Sequence, residues 1–262
     1  MSGPLLEARA LGVRVGPVRA AEALDFALHP GDRVAVLGRN GVGKSTLLAA
    51  LAGLHPFASG ALHYLGRPLA SWPARELART RAWLSQHPDD PFAGSVLDAV
   101  LTGRHPWLGR FDWEGLAEQQ LARDALTAMA LAGFETRNVQ TLSGGERQRV
   151  ALAAVLAQTP RAYLLDEPLT HLDLASQVRV LAQFRDLAEA GAGVVMVIHD
   201  LNLALSWANR LLLLHGDGAW KYGAREALAQ PEALGRALGF PLRAVADGED
   251  TIFVPRHASA VG

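Results

Sequence analysis

The sequence predicts an α/β fold built around a mainly parallel sheet. Short apolar runs bounded by glycine and polar residues recur along the chain, helix-length patterns separate them, and a glycine-rich turn joins one such run to the helix that follows.

The runs lie at 33–37, 81–85, 162–165, 193–198 and 210–214. Each is too short for a stable helix and apolar at consecutive positions, as strands buried on both faces are. Helical patterns cover 44–54, 115–131, 145–158, 174–190 and 201–208. The interval 87–160 breaks the alternation, reading as helices and loops, so it is expected to be a helical subdomain inserted into a sheet-bearing core formed by 1–86 and 161–222. Beyond it, a helix-like stretch at 231–238 and apolar segments at 242–245 and 251–254 make a small C-terminal tail, 223–262, within one domain spanning 1–262.

Composition narrows the function classes. Twenty-five basic residues against 26 acidic ones leave a net charge of −1, so no broad field draws the chain to nucleic acid or anionic lipid. The absence of cysteine removes disulfides, thiolate metal sites and cysteine nucleophiles. The longest apolar runs, 150–157 and 194–198, fall far short of the roughly 20 residues a membrane-spanning helix needs. Residues 1–10 carry Glu7 and Arg9 and do not read as a signal peptide. Contact with a membrane would therefore go through another protein.

Gly38-Arg39-Asn40-Gly41-Val42-Gly43-Lys44-Ser45, followed by Thr46, matches GxxxxGK[ST] between an expected strand and an expected helix, the context this motif requires. The glycines let successive backbone N–H groups turn inward on the β- and γ-phosphates of ATP, and the following helix adds the positive end of its dipole. Lys44 supplies a compact charge and the Ser45 hydroxyl can hold Mg²⁺. The chain has only two lysines, Lys44 and Lys221, so a lysine in this slot by chance is improbable.

Ligands of open α/β sheets lie beyond the carboxyl ends of the strands, so polar groups there should converge on the nucleotide. Asp166 and Glu167 follow the run at 162–165: one carboxylate can hold Mg²⁺ and the next can position the attacking water. Gln86, after the run at 81–85, could hold Mg²⁺ or water without acting as a base. His199, after the run at 193–198, could donate to the γ-phosphate as its charge rearranges.

A second glycine motif, Leu142-Ser143-Gly144-Gly145-Glu146, opens a strong helix. Ser and Glu three apart make a capping box, and Ser-Gly-Gly at a helix N-terminus is also an anion site. Because it lies in the helical insertion and away from the strand ends, it reads as serving a nucleotide bound to another subunit.

Continued by Arg147-Gln148-Arg149, followed about 20 residues on by Asp166-Glu167 and flanked by Gln86 and His199, that motif resembles those of the ATP-binding cassette (ABC) ATPases, with the motifs in family order over nearly the whole chain. The resemblance implies a P-loop NTPase core with a mainly parallel sheet, an antiparallel β subdomain and an inserted helical subdomain. It also implies a head-to-tail homodimer with ATP and Mg²⁺ between one subunit's phosphate loop and the other's Ser143, Gly144, Gly145 and Glu146, with Asp173 in the loop crossing the interface. Two positions depart from the family. No aromatic precedes the phosphate loop between Met1 and Asp25 to stack on adenine, which leaves apolar packing near Val15; and Leu169 stands where Thr is common, with Thr170 beside it keeping the loop polar.

One cassette without a membrane span looks like the separate ATPase subunit of a bacterial importer, peripheral on the cytoplasmic face of the inner membrane. Its implied partners are integral-membrane permease subunits and, indirectly, a periplasmic or surface substrate-binding protein, with no nucleic acid. The stretches at 94–106 and 199–204 are similar to importers of iron-siderophore, haem and vitamin B12. Phe92, Trp107, Leu108, Phe111 and Trp113 form either a groove for a permease helix or the insertion's own core. A soluble ABC ATPase acting on ribosomes or DNA is the alternative, although the second cassette or long coiled coil usual there is missing. An unrelated kinase or GTPase has no use for LSGGE, and no Asn-Lys-x-Asp signature is present.

Overall fold

The chain is described by a computed structural model over residues 3–86, 94–109, 115–248 and 250–256. It opens with an antiparallel hairpin, β1 (Leu6–Val15) and β2 (Val18–Leu28), enters β3 (Arg33–Leu37), and turns through the glycine loop into α1 (Lys44–Leu51). It then returns to the hairpin with β4 (Ser59–Tyr64) and β5 (Arg67–Pro68), giving a four-stranded sheet ordered β2-β1-β4-β5. The buried Tyr64 hydroxyl donates to the Leu51 carbonyl at 2.7 Å, tying this sheet to the end of α1. Helix α1 stops short of the expected residue 54 because Gly53 takes a left-handed φ of 71°.

α2 (Ala74–Thr80) leads to β6 (Arg81–Leu84), after which α3 (Val96–Leu101), α4 (Leu116–Ala128) and α5 (Gly144–Ala157) pack on one another. The chain then runs through β7 (Ala162–Asp166), α6 (Leu174–Glu189), β8 (Gly193–Val197), α7 (Leu201–Trp207), β9 (Arg210–Leu214) and β10 (Trp220–Ala224). It ends with α8 (Arg225–Leu228), α9 (Pro231–Leu238) and a hairpin of β11 (Leu242–Asp247) and β12 (Asp250–Pro255).

The larger sheet is ordered β10-β9-β3-β8-β7-β6, parallel from β9 to β6, with β10 antiparallel at one edge. Its inner strands are mostly apolar because alternate residues enter two different cores. Val34, Val36, Leu164, Val195, Val197 and Leu212 pack toward α1 and the antiparallel sheet. Ala35, Leu37, Tyr163, Leu165, Val194, Met196 and Leu213 pack with residues of the helical segment, α6 and α7. Adjacent strands in the order β3-β8-β7-β6 bring the segments after Leu37, Val197, Asp166 and Leu84 to one edge, spanning about 15 Å at the usual strand spacing.

Candidate active site

A cavity of about 600 Å³ opens at that edge, lined by Asn40, Gly41, Gly43, Lys44, Ser45, Thr46, Gln86, Glu167 and His199, with Val15 and Val18 at its apolar side. A cavity of about 660 Å³ between α4, α5 and α6 lies instead by Pro160 and Arg161, at the opposite end of β7.

The loop from Gly38 to Ser45 is shaped by local geometry. Gly41 and Gly43 hold φ values of 78° and 95°, which L-residues with a Cβ rarely adopt, and a Cβ on Gly43 would lie 2.5 Å from that of Ala20. Helix α1 begins at Lys44 with no side-chain cap, whereas Ser143, Asp173 and Asp200 cap α5, α6 and α7. Its first-turn N–H groups thus face the cavity for an anion to bind. Lys44 is only 7% exposed, and its Nζ donates to the carbonyls of Gly38 at 2.9 Å and Arg39 at 3.0 Å. Burial pulls its pKa down, opposed by the nearby Glu167 and Asp166. The Val42 side chain is buried against Gly38 and Gly216, so it could meet a phosphate only through its backbone.

Asp166, the last residue of β7, is 2% exposed. Burial pushes its carboxyl pKa up, while a hydrogen bond from Ser45 pulls it down and Glu167 adds to the rise. Its Oδ1 is buried without a hydrogen-bond partner. A desolvated carboxylate oxygen beside a serine hydroxyl is a donor set that suits Mg²⁺, a hard cation preferring oxygen ligands.

Glu167 adopts φ of 50°, a left-handed conformation costly for a residue with a Cβ. Its Oε1 accepts from His199 Nε2 at 2.6 Å, and its Oε2 accepts from the Thr170 hydroxyl at 3.5 Å. Leu169 is buried, and Thr170 provides the polar contact in this turn. Gln86 is exposed on the cavity wall.

Ser143, Gly144, Gly145, Glu146 and Asp173 do not line this cavity. Ser143 and Glu146 form a complete capping box: Glu146 Oε2 accepts from the Ser143 backbone N–H and hydroxyl at 2.8 Å each, and the Glu146 N–H donates to Ser143 Oγ at 3.3 Å. These bonds from Ser143 hold the Glu146 carboxyl below the usual carboxylate range. Asp173 Oδ1 accepts from Ser176 N–H at 2.8 Å, and that bonding lowers its pKa as well.

Two internal ties escaped the sequence reading. Gln148 Nε2, buried on α5, donates to the Pro168 carbonyl at 3.0 Å, and a Cβ on Gly145 would lie 2.8 Å from the His171 carbonyl. The glycine motif is thereby packed on the same chain's 167–173 turn. The Gly-Gly pair and the polar residue on an otherwise apolar helix face were the available signals. Trp107 is exposed, its Nε1 donating to the Gln158 carbonyl at 2.8 Å and its ring facing Arg79 and Arg104; Phe92, Phe111 and Trp113 lie outside the described residues.

Residues 21–170 match the family model described as ABC transporter. The chain belongs to the ABC transporter family. Within it, the chain is 43% identical to the hemin import ATP-binding protein HmuV of Gloeobacter violaceus over 90% of this chain and 87% of that one. It is 36% identical to the HmuV protein of a Chelativorans species over 97% and 99%. Among solved structures, a chain described as part of a metal-chelate type ABC transporter in an inward-facing conformation superposes with a TM-score of 0.83, at 32% identity and 97% and 98% coverage. As an ABC ATPase, the chain binds and hydrolyses ATP. The expected core is present: a mainly parallel sheet, an antiparallel β sheet and packed helices. Among the described residues no helix is long and apolar enough to cross a membrane.

Proposed function

We propose that this chain energises a bacterial importer of haem or a related metal chelate, acting as a homodimer beneath membrane permease subunits that receive cargo from a substrate-binding protein. The observation that carries the nucleotide chemistry is the convergence of Lys44, Ser45, Asp166, Glu167 and His199 on one cavity edge. The cargo class is supported by relatives named for hemin import and by the metal-chelate type structural neighbour.

The phosphates of ATP sit against the open N-terminus of α1, with Lys44 meeting the β- and γ-oxygens. Ser45 and Asp166, with Gln86 at the rim, are the residues to hold Mg²⁺, which neutralises phosphate charge when bound. Glu167 orients a water for attack on the γ-phosphorus, accepts its proton as the bond to the β–γ bridging oxygen breaks, and leaves ADP and phosphate. His199 holds that carboxylate and can turn its N–H toward the γ-phosphate. Adenine rests on the aliphatic surface of Val15 and Val18. Ser143 to Glu146 and Asp173 complete the partner's site. The sheet-bearing core of 1–86 and 161–222, the helical insertion of 87–160 and the tail of 223–262 then act as the moving parts of one domain.

The test is ATP-driven uptake by vesicles containing this chain and its co-purifying permease, offered haem, ferric chelates, cobalamin, amino acids and sugars. Uptake of haem or a metal chelate that stops with Lys44→Ala is the expected result. Uptake confined to an amino acid or a sugar overturns the cargo reading, and unchanged ATP affinity in Lys44→Ala overturns the phosphate-loop assignment.

A further inference from the structure

The C-terminal segment contacts two residues that flank the nucleotide cavity, Arg39 and Asn202. At one end, the Arg39 N–H donates to the Ala237 carbonyl near the end of α9 at 3.1 Å. Arg39 is also one of the two residues whose carbonyls hold Lys44 Nζ, so a single residue of the phosphate loop connects α9 to the buried lysine. The next turn fits tightly: Gly239 has φ of 72°, and a Cβ there would lie 2.3 Å from Arg39 Cδ.

At the other end, the Asn202 carboxamide pairs with the backbone of Phe253 in β12. Nδ2 donates to the Phe253 carbonyl at 3.2 Å, and the Phe253 N–H donates to Oδ1 at 2.8 Å. Asn202 is in the first turn of α7, three residues after His199 in sequence. Leu234, Ala237 and Phe253 are buried in the same core as Leu205, Trp207 and Leu213, so the segment is anchored between these two contacts. The pairing of β3 with β8 sets the distance between the phosphate loop and His199, and a body that hydrogen-bonds both the loop and the helix after His199 braces the segments that extend beyond those strands.

We propose that α9 and the strands β11 and β12, residues 231–248 and 250–255, are a positioning clamp for ATP hydrolysis, one jaw acting on Lys44 through Arg39 and the other on His199 through Asn202. The proposal rests on the nucleotide reading of the cavity above. Neither jaw touches substrate; both act by holding groups that do.

The two jaws predict opposite kinetic signatures in the full-length chain. Asn202→Ala removes both bonds to Phe253 and should lower kcat about 3- to 10-fold, while the Kd for a fluorescent methylanthraniloyl-ATP stays within about twofold of wild type. Asn202→Asp keeps the acceptor for the Phe253 N–H and should recover part of that loss. Gly239→Ala forces a side chain into the left-handed φ of 72° two residues after Ala237, disturbing the carbonyl that receives the Arg39 N–H, and should instead raise the fluorescent nucleotide's Kd about 5- to 10-fold. Melting curves set the assay temperature well below each variant's transition. If the variants melt earlier yet keep wild-type Kd and kcat, or if Asn202→Asp is as impaired as Asn202→Ala, the clamp is wrong. Failure of the wild-type chain to bind the fluorescent nucleotide would instead overturn the nucleotide reading itself.

Discussion

Asp166→Asn should stabilise the nucleotide-free chain and remove most of the extra stability that Mg²⁺ adds to the ATP complex. Asp166 is 2% exposed, one of its oxygens has no partner, and burial raises its pKa despite the Ser45 hydrogen bond and the nearby Lys44. A buried charge costs several kcal/mol before compensation, and its neighbours return most of it. A near-isosteric neutral amide should therefore gain about 1–2 kcal/mol, or roughly 2–8 °C in Tm for a chain of this size. At 100 times Kd, Mg²⁺-ATP adds about 2.7 kcal/mol to the wild type, and the variant should lose most of its Mg²⁺-dependent part. Thermal melts with no nucleotide, ATP with EDTA, and ATP with Mg²⁺ should then cross over: the variant melts higher in the first and lower in the last. Acid should shrink the gap between the two, because a carboxyl whose folded pKa is raised destabilises the fold once ionised. Wild type should gain on the variant as pH falls through that pKa. A nucleotide-free variant that melts below wild type, or a Mg²⁺ increment equal to wild type's, refutes the argument.

Glu167→Gln should bind ATP normally but hydrolyse it at least ~100-fold more slowly, the usual loss for a general base, and accumulate as an ATP-bound dimer in light scattering; near-normal turnover removes the base assignment. Gly43→Ala combines a strained φ with a 2.5 Å approach to Ala20 and should cost about 2–4 kcal/mol by denaturant melts; adding Ala20→Gly should return the packing part and leave the dihedral part. Val15→Tyr places a ring beside the apolar wall of the cavity and should tighten ATP about 2- to 10-fold in equilibrium binding; weaker binding would move adenine elsewhere.

What the sequence could show follows from where side chains go. β3, β7, β8 and β9 are legible because both of their faces are buried, leaving consecutive apolar letters. β1 and β2 are not, since Arg9, Arg14, Arg19 and Glu22 lie on their exposed faces, and their pairing is irregular around Ala8, Leu11 and Val13. Left-handed residues at Ala10 and Ala23 carry no letter that announces them. β10 is a half-exposed edge strand without a periodic pattern. In the site, Lys44 and Ser45 are fixed by a local motif. The pairing of Glu167 with His199 and of Asp166 with Ser45 depends on the order of parallel strands, which adjacency in sequence does not encode. The bond from Arg39 to Ala237 belongs to the same class: its partners are far apart in the chain, and both contribute only backbone atoms.

Lysine is confined to two positions, and their settings could hardly differ more: Lys44 is buried with its amine on two loop carbonyls, whereas Lys221 is exposed on an edge strand. The chain therefore carries its own chemical reporter. An amine-acylating reagent shaped like a nucleotide is steered to one ε-amine and a freely diffusing one to the other, so the ratio of two labelled peptides in a mass spectrum reads occupancy of the phosphate loop without any engineered tag.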